Sequence, residues 1–142
     1  MDRYIDWAFK YYKVSADAGN AEGMNNLGWC YQNAIGTEES LADAYYWYKE
    51  AASRGLHSGH HNLAWCLWNG LGVKRDDDLA QYHLEIAARA GNTFAIRTLH
   101  SDFKHSPFLE ELRQKKAAEQ REIIRAEIEE MNQGAVIVRI EN

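Results

Sequence analysis

Apolar and polar residues follow a pattern along the first hundred positions that repeats with a fixed step. The stretch NNLGWCYQNAIG at residues 25–36 returns as HNLAWCLWNGLG at residues 61–72, which sets the step at 36 residues. Gly19, Gly55 and Gly91 keep the same step, and no insertion is needed to align the copies. A fixed period of this length indicates a repeat architecture, in which each unit needs its neighbour to bury its apolar face.

Each copy predicts a hairpin of two helices. The first helix spans about residues 21–33, and again about 58–69, and it ends in a turn with glycine, which adopts positive φ easily. The second begins at a polar cap, Ser40 or Asp76, whose side-chain oxygen can accept a hydrogen bond from the first exposed amides. Alanines at fixed positions allow neighbouring helices to approach closely.

The copies at the two ends are incomplete. Residues 3–18 resemble a second helix without its first, and residues 93–103 resemble a first helix without its second. Terminal repeats of solenoids are commonly modified in this way. A missing partner helix would leave Trp7, Phe9 or Tyr11 partly bare, and either dimerisation or continuation of a longer array would cover them.

A different segment follows the repeats. The period breaks at HSPF, and a helix is predicted over about 107–132, with apolar residues gathered at its two ends. The sequence AVIVRI at 135–140 is β-prone and predicts a short strand-like tail, which would pair with another strand or remain frayed. We therefore expect a repeat domain over 1–104 and an extension over 105–142. The residues of the extension expected to contact a partner or a second copy are Ile123, Ile124, Ile128, Val136 and Val138.

Composition narrows the class of protein. The 142 residues suit one domain with a core, and the hydrophobic fraction of 46% is typical of globular proteins. The net charge of −5 includes no basic block, so nucleic acid is not expected as a partner. The longest apolar run, residues 63–68, is too short to span a membrane, and the charged start does not resemble a secretory signal. Cys30 and Cys66, the only cysteines, are expected to be reduced, buried thiols in a cytoplasmic protein.

The repeat resembles a known family, the Sel-one-like repeats (SLR), which are relatives of the tetratricopeptide repeat (TPR). The first copy matches the family pattern at Leu27, Gly28, Tyr31, Gly36, Ala44, Trp47, Tyr48, Ala51, Ala52 and Gly55. The second copy matches at Leu63, Gly70, Gly72, Val73, Asp76, Ala80, Ala87, Ala88 and Gly91. It departs from the pattern at Ala64, Leu67, His83 and Leu84, where the size of core residues changes. The resemblance covers roughly residues 4–103 and implies an all-α fold, a short right-handed α/α superhelix (solenoid) of about two and a half TPR-like hairpins.

One face of the first helices is predicted to lie opposite the core. Trp29 follows Leu27 by two positions, so helical geometry turns the two side chains about 200° apart. In the family that the chain resembles, first helices line a concave groove, and asparagines at the places of Asn26 and Asn62 hydrogen-bond an extended peptide. The candidate partner-binding residues are Asn25, Asn26, Trp29, Gln32, His61, Asn62, Trp65, Trp68 and Arg97. The alternative is that the C-terminal helix folds back over Trp29 and Trp65, either permanently or as a displaceable lid.

The sequence offers little catalytic or metal-binding chemistry. His57 and His61 stand four residues apart, a spacing at which two imidazoles can share a metal ion, but no third ligand follows at a convincing step. No nucleophile stands beside a recognisable base, and no pair of carboxylates is evident. We therefore expect a protein that is not an enzyme and that uses neither a metal nor another cofactor.

These patterns favour a scaffold or adaptor that binds a protein or peptide segment in its concave groove. Two alternatives remain open from the sequence. Small bacterial repeat proteins that resemble this one sometimes serve as immunity or antitoxin proteins that occlude one toxin. The chain could also be a self-associating module, a homodimer formed through a terminal helix or through the C-terminal tail.

Overall fold

The computed structural model describes the backbone of residues 3–141 and the side chains of residues 3–134. Within that range the chain forms seven α-helices and no strand: α1 Arg3–Asp17, α2 Ala21–Asn33, α3 Leu41–Ser53, α4 His57–Asn69, α5 Asp77–Arg89, α6 Thr93–Asp102 and α7 Pro107–Glu141. The prediction of an all-α protein built from helical hairpins is confirmed. The chain divides into two compact units, residues 1–104 and 105–142.

The first unit is a stack of helices in chain order. Each helix from α1 to α5 packs against the helix that follows it, and α2 also contacts α4. The pair α2 and α3 forms one complete repeat, and α4 and α5 form the next. By the 36-residue register, α1 is a second helix and α6 is a first helix. The first helices of neighbouring repeats therefore lie side by side.

Polar side chains begin most of these helices. Ser40 Oγ accepts a hydrogen bond from the backbone N–H three residues on at 3.2 Å, and Asp76 Oδ1 accepts the same bond at 3.0 Å. Both predicted caps are confirmed. Asn20 and Asn92 cap α2 and α6 in the same way. Leu56, at the equivalent position before α4, has no capping side chain and packs against the apolar core instead.

The turn between the helices of each repeat contains residues with positive φ. Gly36 and Gly72 have φ of 70° and 69°. A Cβ on Gly72 would collide with the backbone carbonyl of Leu41, so this position requires glycine on two counts. The C-cap residue that follows the first helix is Gly70 in the second repeat, with φ 65°. In the first repeat the C-cap is Ala34, with φ 54°. Ala34 is thus a non-glycine residue in the left-handed region.

The core changes shape between the two repeats in a coordinated way. A Cβ on Gly28 would lie 2.8 Å from two ring carbons of Tyr48, so the tyrosine ring occupies the space that glycine leaves. In the second repeat Ala64 stands in place of Gly28, and Leu84 in place of Tyr48. The larger residue on the first helix thus accompanies the smaller residue on the second. These departures from the family pattern are compensating substitutions within one fold.

The two cysteines are buried and free, as expected from the sequence. Cys30 and Cys66 lie at equivalent positions of α2 and α4 and are both almost completely covered. Burial raises the pKa of the Cys30 thiol and raises that of Cys66 to about 11. Both side chains act as small apolar core residues.

The C-terminal unit differs from its prediction. A single helix, α7, runs from Pro107 to Glu141, so the expected helix end near residue 132 and the expected strand-like tail at 135–140 are both wrong. A β-branched residue lowers helix propensity by less than about 1 kcal/mol, and extending an existing helix avoids the cost of nucleation. The same reasoning explains why Gly134 does not end the helix. Ile123, Ile124 and Ile128 are about half exposed, whereas the side chains of Val136 and Val138 lie outside the described residues.

Candidate functional site

The exposed face of the first helices is the most distinctive surface of the repeat unit. We call it the first-helix surface, and it comprises Asn25, Asn26, Trp29, His61, Asn62, Trp65, Phe94 and Arg97. Trp29 is 50% exposed and Trp65 is 47% exposed. Leu27 and Leu63, two residues before each tryptophan, are buried, so the indoles point away from the core. With Phe94 on α6 they place exposed aromatic side chains on three successive first helices, and contiguous exposed apolar patches mark candidate interaction sites.

The same polar contact accompanies each of these tryptophans. Asn33 Nδ2 donates to the backbone carbonyl of Trp29 at 3.0 Å, and Asn69 Nδ2 donates to that of Trp65 at 2.9 Å. Each asparagine side chain therefore reaches back four residues to a carbonyl in the last turn of its own helix. The two contacts fix the ends of the helices that present the indoles.

An amide bridge joins α2 to α4 across the surface. Asn62 Nδ2 donates to Asn25 Oδ1 at 2.8 Å, and both side chains are partly buried. Asn26, which is equivalent to Asn62, is also partly buried. The predicted asparagines are therefore close together, but Asn62 already uses one of its donors within the protein.

A third cluster lies where α4 meets α6. The His61 ring lies 6.2 Å from the Phe94 ring, centroid to centroid, and Arg97 Cζ lies 5.9 Å from the Phe94 centroid. Burial lowers the pKa of His61, and its hydrogen bond with Asn62 opposes that shift. The sequence analysis did not include Phe94. Phe94 could have been predicted from the sequence, because it lies one helical turn before Arg97 and therefore on the same face of α6.

Two predicted site residues are engaged elsewhere in the repeat unit. Gln32 Oε1 accepts a hydrogen bond from the hydroxyl of Tyr48 at 2.7 Å, so it links α2 to α3. Trp68 is partly buried, and its ring is tilted against that of Phe103 at a centroid distance of 5.5 Å. We therefore leave both residues outside the first-helix surface.

The histidines near the start of α4 do not face one another. His57 Nδ1 lies 3.2 Å from the side-chain nitrogen of Asn92, and His61 contacts Phe94. His60 instead pairs with His83 of α5, with 2.9 Å between the two Nδ1 atoms. Among the residues that the structure describes, no group of three or more His, Cys, Asp or Glu side chains could hold a metal ion.

The chemistry of the first-helix surface suits recognition of a polypeptide. Indole and phenyl rings offer apolar contact, the amides offer donors and acceptors for peptide groups, and Arg97 offers a cation. Trp and Arg are enriched among residues that dominate binding energies. In the part of the chain that the structure describes, no helix is long and apolar enough to cross a membrane.

Stacked helical hairpins with this arrangement define an α/α solenoid. The family model described as Sel1 repeat matches residues 7–20, 21–56 and 57–92, and the chain belongs to the Sel1 repeat family. The matched segments coincide with the 36-residue register, and the first of them covers most of α1. No match was found among curated proteins.

Solved structures of SLR proteins are similar to this chain. Helicobacter pylori cysteine-rich protein B is 25% identical, with 64% of this chain and 68% of that chain covered and a TM-score of 0.61. A Sel1 repeat protein from Oxalobacter formigenes is 28% identical over the same shares, with a TM-score of 0.62. A protective antigen of uropathogenic Escherichia coli strains, which displays an SLR fold, is 28% identical, with a TM-score of 0.64. That match covers 79% of this chain and 25% of the antigen.

Proposed function

We propose that this chain is a non-enzymatic protein-interaction module that binds a segment of a partner protein along the first-helix surface. Sel1 repeat proteins are generally protein–protein interaction modules. The observation that supports the finer proposal is the pair of half-exposed indoles, Trp29 and Trp65, at equivalent positions of neighbouring first helices.

The spacing of the repeats suggests what kind of segment would fit. Packed helices lie roughly 8–10 Å apart, and an extended chain advances roughly 3.3 Å per residue. A partner in extended conformation would therefore advance two to three residues between Trp29 and Trp65, and because side chains alternate along a strand, apolar residues two apart would reach both indoles. Further along toward α6, the same segment would meet Phe94 and Arg97. These two residues favour an aromatic or acidic residue at that position of the partner.

The amide bridge supports an extended partner as well. Asn25 lies on α2 and Asn62 lies on α4, the two helices that carry the indoles. Their remaining donors and acceptors can bind the peptide groups of a bound segment. Asn26 is available beside them. Hydrogen bonds to backbone groups give affinity without requiring a particular side chain, whereas the aromatic contacts give selectivity.

The double variant Trp29→Ala/Trp65→Ala tests this proposal. A partner is first captured with the wild-type protein and identified by mass spectrometry, and its binding is then measured by calorimetry. We expect at least about a tenfold loss of affinity, because aromatic hot spots contribute about 2 kcal/mol or more when truncated. The far-UV circular dichroism should stay unchanged, since both indoles lie outside the core.

The second helices supply a matched control. Tyr46 and Tyr82 are also separated by one repeat and are 51% and 57% exposed, but they lie on α3 and α5. Tyr46→Ala/Tyr82→Ala should leave affinity within about twofold. If the tyrosine pair weakens binding and the tryptophan pair does not, the partner binds the opposite helices and the proposal is wrong.

We also propose that the protein works in the cytoplasm. The support is that Cys30 and Cys66 are free thiols, and a reducing compartment keeps such thiols unpaired. Protein isolated under denaturing conditions with a thiol-blocking reagent should carry two blocked cysteines. A disulfide to any other molecule in that sample would contradict this location.

A further inference from the structure

The helix α1 has a face that no other part of the described repeat unit covers. In the complete repeats, the second helix turns Ala44 and Tyr48 toward its own first helix, and both are buried. Ala8 and Tyr12 occupy the same places in α1 but are only partly buried, because none of the described residues forms a first helix beside α1. The slot that a first helix fills elsewhere is open beside α1.

Four apolar side chains line the edge of this open slot. Tyr4, Trp7, Tyr11 and Val14 follow one another at steps of three, four and three residues and are 84%, 63%, 55% and 70% exposed. We call them the α1 stripe. The rings of Trp7 and Tyr11 stack at 5.2 Å, and Arg3, Tyr4 and Trp7 line an apolar depression of about 350 Å³. Such spacing is typical of a seam that packs against another helix.

We propose that the α1 stripe is a homodimer interface, in which α1 of one copy packs antiparallel against α1 of a second copy about a two-fold axis. Antiparallel pairing centred on Phe9 sets Tyr4 opposite Val14 of the partner subunit. It sets Trp7 opposite Tyr11 of the partner subunit. Each large side chain thereby meets a smaller one, and the contact repeats on both sides of the axis, as two-fold symmetry requires.

The charges beside the stripe favour this orientation. Arg3, Lys10 and Asp17 occupy one flank of the stripe at steps of seven residues, and all three are exposed. In an antiparallel pair, this flank of one helix lies against the same flank of the other helix. Arg3 therefore lies next to Asp17 of the partner subunit, and the contact occurs twice per dimer. Neither residue has an ion pair within the part of the chain that the structure describes. Parallel pairing would place these charges next to Ala8 and Ser15 and would form no ion pair.

A second exposed apolar stripe among the described side chains lacks this complementarity. It lies on α7 within residues 123–131. In a parallel pair its flanks would bring Gln120 to Arg125 and Glu127 to Asn132, with no opposite charges matched. An antiparallel pair would bring like flanks together, Arg125 with Arg125 of the partner subunit. Among the described side chains, the self-complementary surface is therefore that of α1.

The area of the contact makes the dimer a weak one. A fully covered aromatic side chain buries roughly 150–250 Å², and the two copies bring six partly exposed ones to the interface. Their sum is several hundred Å², near the lower limit for specific association. Lys10 also meets Lys10 of the partner subunit at the centre, which opposes association. Dimerisation should therefore depend on concentration.

The first experiment removes the stripe without altering the helix. Trp7→Asp and Val14→Glu give α1 the residues that α3 has at the same places, Asp43 and Glu50. The full-length protein is followed by sedimentation velocity over a hundredfold range of concentration. We expect the wild type to approach a dimer at the upper end and the variant to stay monomeric, with unchanged circular dichroism. A wild type that stays monomeric throughout overturns the proposal.

The second experiment tests the orientation through charge exchange. Arg3→Glu alone and Asp17→Arg alone should each raise the dissociation constant about tenfold, because each turns two attractions into repulsions. The double variant Arg3→Glu/Asp17→Arg restores the pairs and should return to the wild-type value. Lys10→Gln should strengthen the dimer. A double variant as weak as the singles overturns the antiparallel arrangement.

Two further variants separate this contact from other surfaces. Ile124→Gln/Ile128→Gln should leave the dimer unchanged, and a monomeric result would assign the interface to α7 and overturn the proposal. Trp29→Ala/Trp65→Ala should also remain dimeric, because the first-helix surface lies on other helices. If both proposals hold, Trp29→Ala/Trp65→Ala loses partner binding and keeps the dimer, whereas the α1 variants lose the dimer and keep partner binding. The two readouts therefore distinguish the failure of one proposal from the failure of the other.

Discussion

Nδ1 of His60 lies 2.9 Å from Nδ1 of His83, and the two imidazole rings stack between α4 and α5 at a centroid distance of 5.2 Å. By the 36-residue register, these residues replace Met24 and Trp47, which pack in the apolar core of the first repeat. One of the two nitrogens must donate and the other accept, so at least one of the two rings must be neutral, and protonation of both breaks the contact. The second repeat has thus exchanged an apolar contact for one that depends on protonation.

The histidine pair predicts a loss of stability in mild acid. Burial lowers the pKa of His60, and burial followed by the charge of His60 lowers that of His83 to about 4. The unfolded state, with a pKa near 6.5, therefore binds more protons than the folded state as the pH falls. The contribution is fully present above about pH 6.5 and is lost on the way to pH 4, with about 2 kcal/mol lost at about pH 5.

Urea unfolding of the wild type and of His60→Met/His83→Trp at about pH 7.5 and about pH 5 tests this prediction. The variant takes the residues of the first repeat, so its stability should fall less between the two conditions. Equal losses in both proteins would show that other groups govern the acid sensitivity.

Ala34 predicts a gain in stability on substitution by glycine. It ends α2 in the left-handed region, where an L-residue with a Cβ is disfavoured by about 1 kcal/mol. Ala34→Gly should raise the free energy of unfolding by about that amount. Gly70→Ala, at the equivalent position of α4, should lower it by a similar amount. Thermal denaturation followed by calorimetry measures both, and shifts of the same sign would contradict the assignment.

The fit between Gly28 and Tyr48 predicts that the two sites are coupled. Gly28→Ala should destabilise the protein by about 1–3 kcal/mol, because the new methyl group meets the tyrosine ring. Tyr48→Leu removes the ring and its hydrogen bond to Gln32 and should also destabilise. The double variant recreates the pair found at Ala64 and Leu84, so its loss should be smaller than the sum by at least about 1 kcal/mol. Simple additivity in denaturant unfolding would argue against the compensating role.

The bridge between Asn25 and Asn62 predicts a smaller coupling. A double-mutant cycle with Asn25→Ala and Asn62→Ala should give about 0.5–1.5 kcal/mol, the usual net value of one hydrogen bond. Asn26→Ala serves as the control for Asn25→Ala and should show no coupling to position 62. A coupling as large at Asn26 would place the bridge between different residues.

The repeat made most of the fold predictable. Once the step of 36 residues is known, a cap such as Ser40 or Asp76 predicts where a helix begins, and a glycine turn predicts where it ends. Caps and glycine turns each depend on a few neighbouring residues, so they can be recognised in the sequence without knowing any long-range contact. The outward direction of Trp29 follows in the same way from its distance to Leu27.

The features that could not be predicted depend on which helix faces which. Pairing His60 with His83 requires knowing that Met24 and Trp47 share a core, and the same applies to Gln32, which meets Tyr48. The prediction of a strand-like tail at 135–140 was wrong for another reason. Local β-propensity predicted a strand, but the helix before it had already met the cost of nucleation, and continuing it was the favourable outcome.

The two buried cysteines have a practical consequence for spectroscopy. A maleimide reacts with an accessible thiolate, and both Cys30 and Cys66 are covered and hold their protons more tightly than a free thiol. A single cysteine introduced on the surface, for example in place of Ser101, would react selectively in the otherwise native chain. Fluorescent or spin probes can therefore be attached site by site without first removing residues from the core.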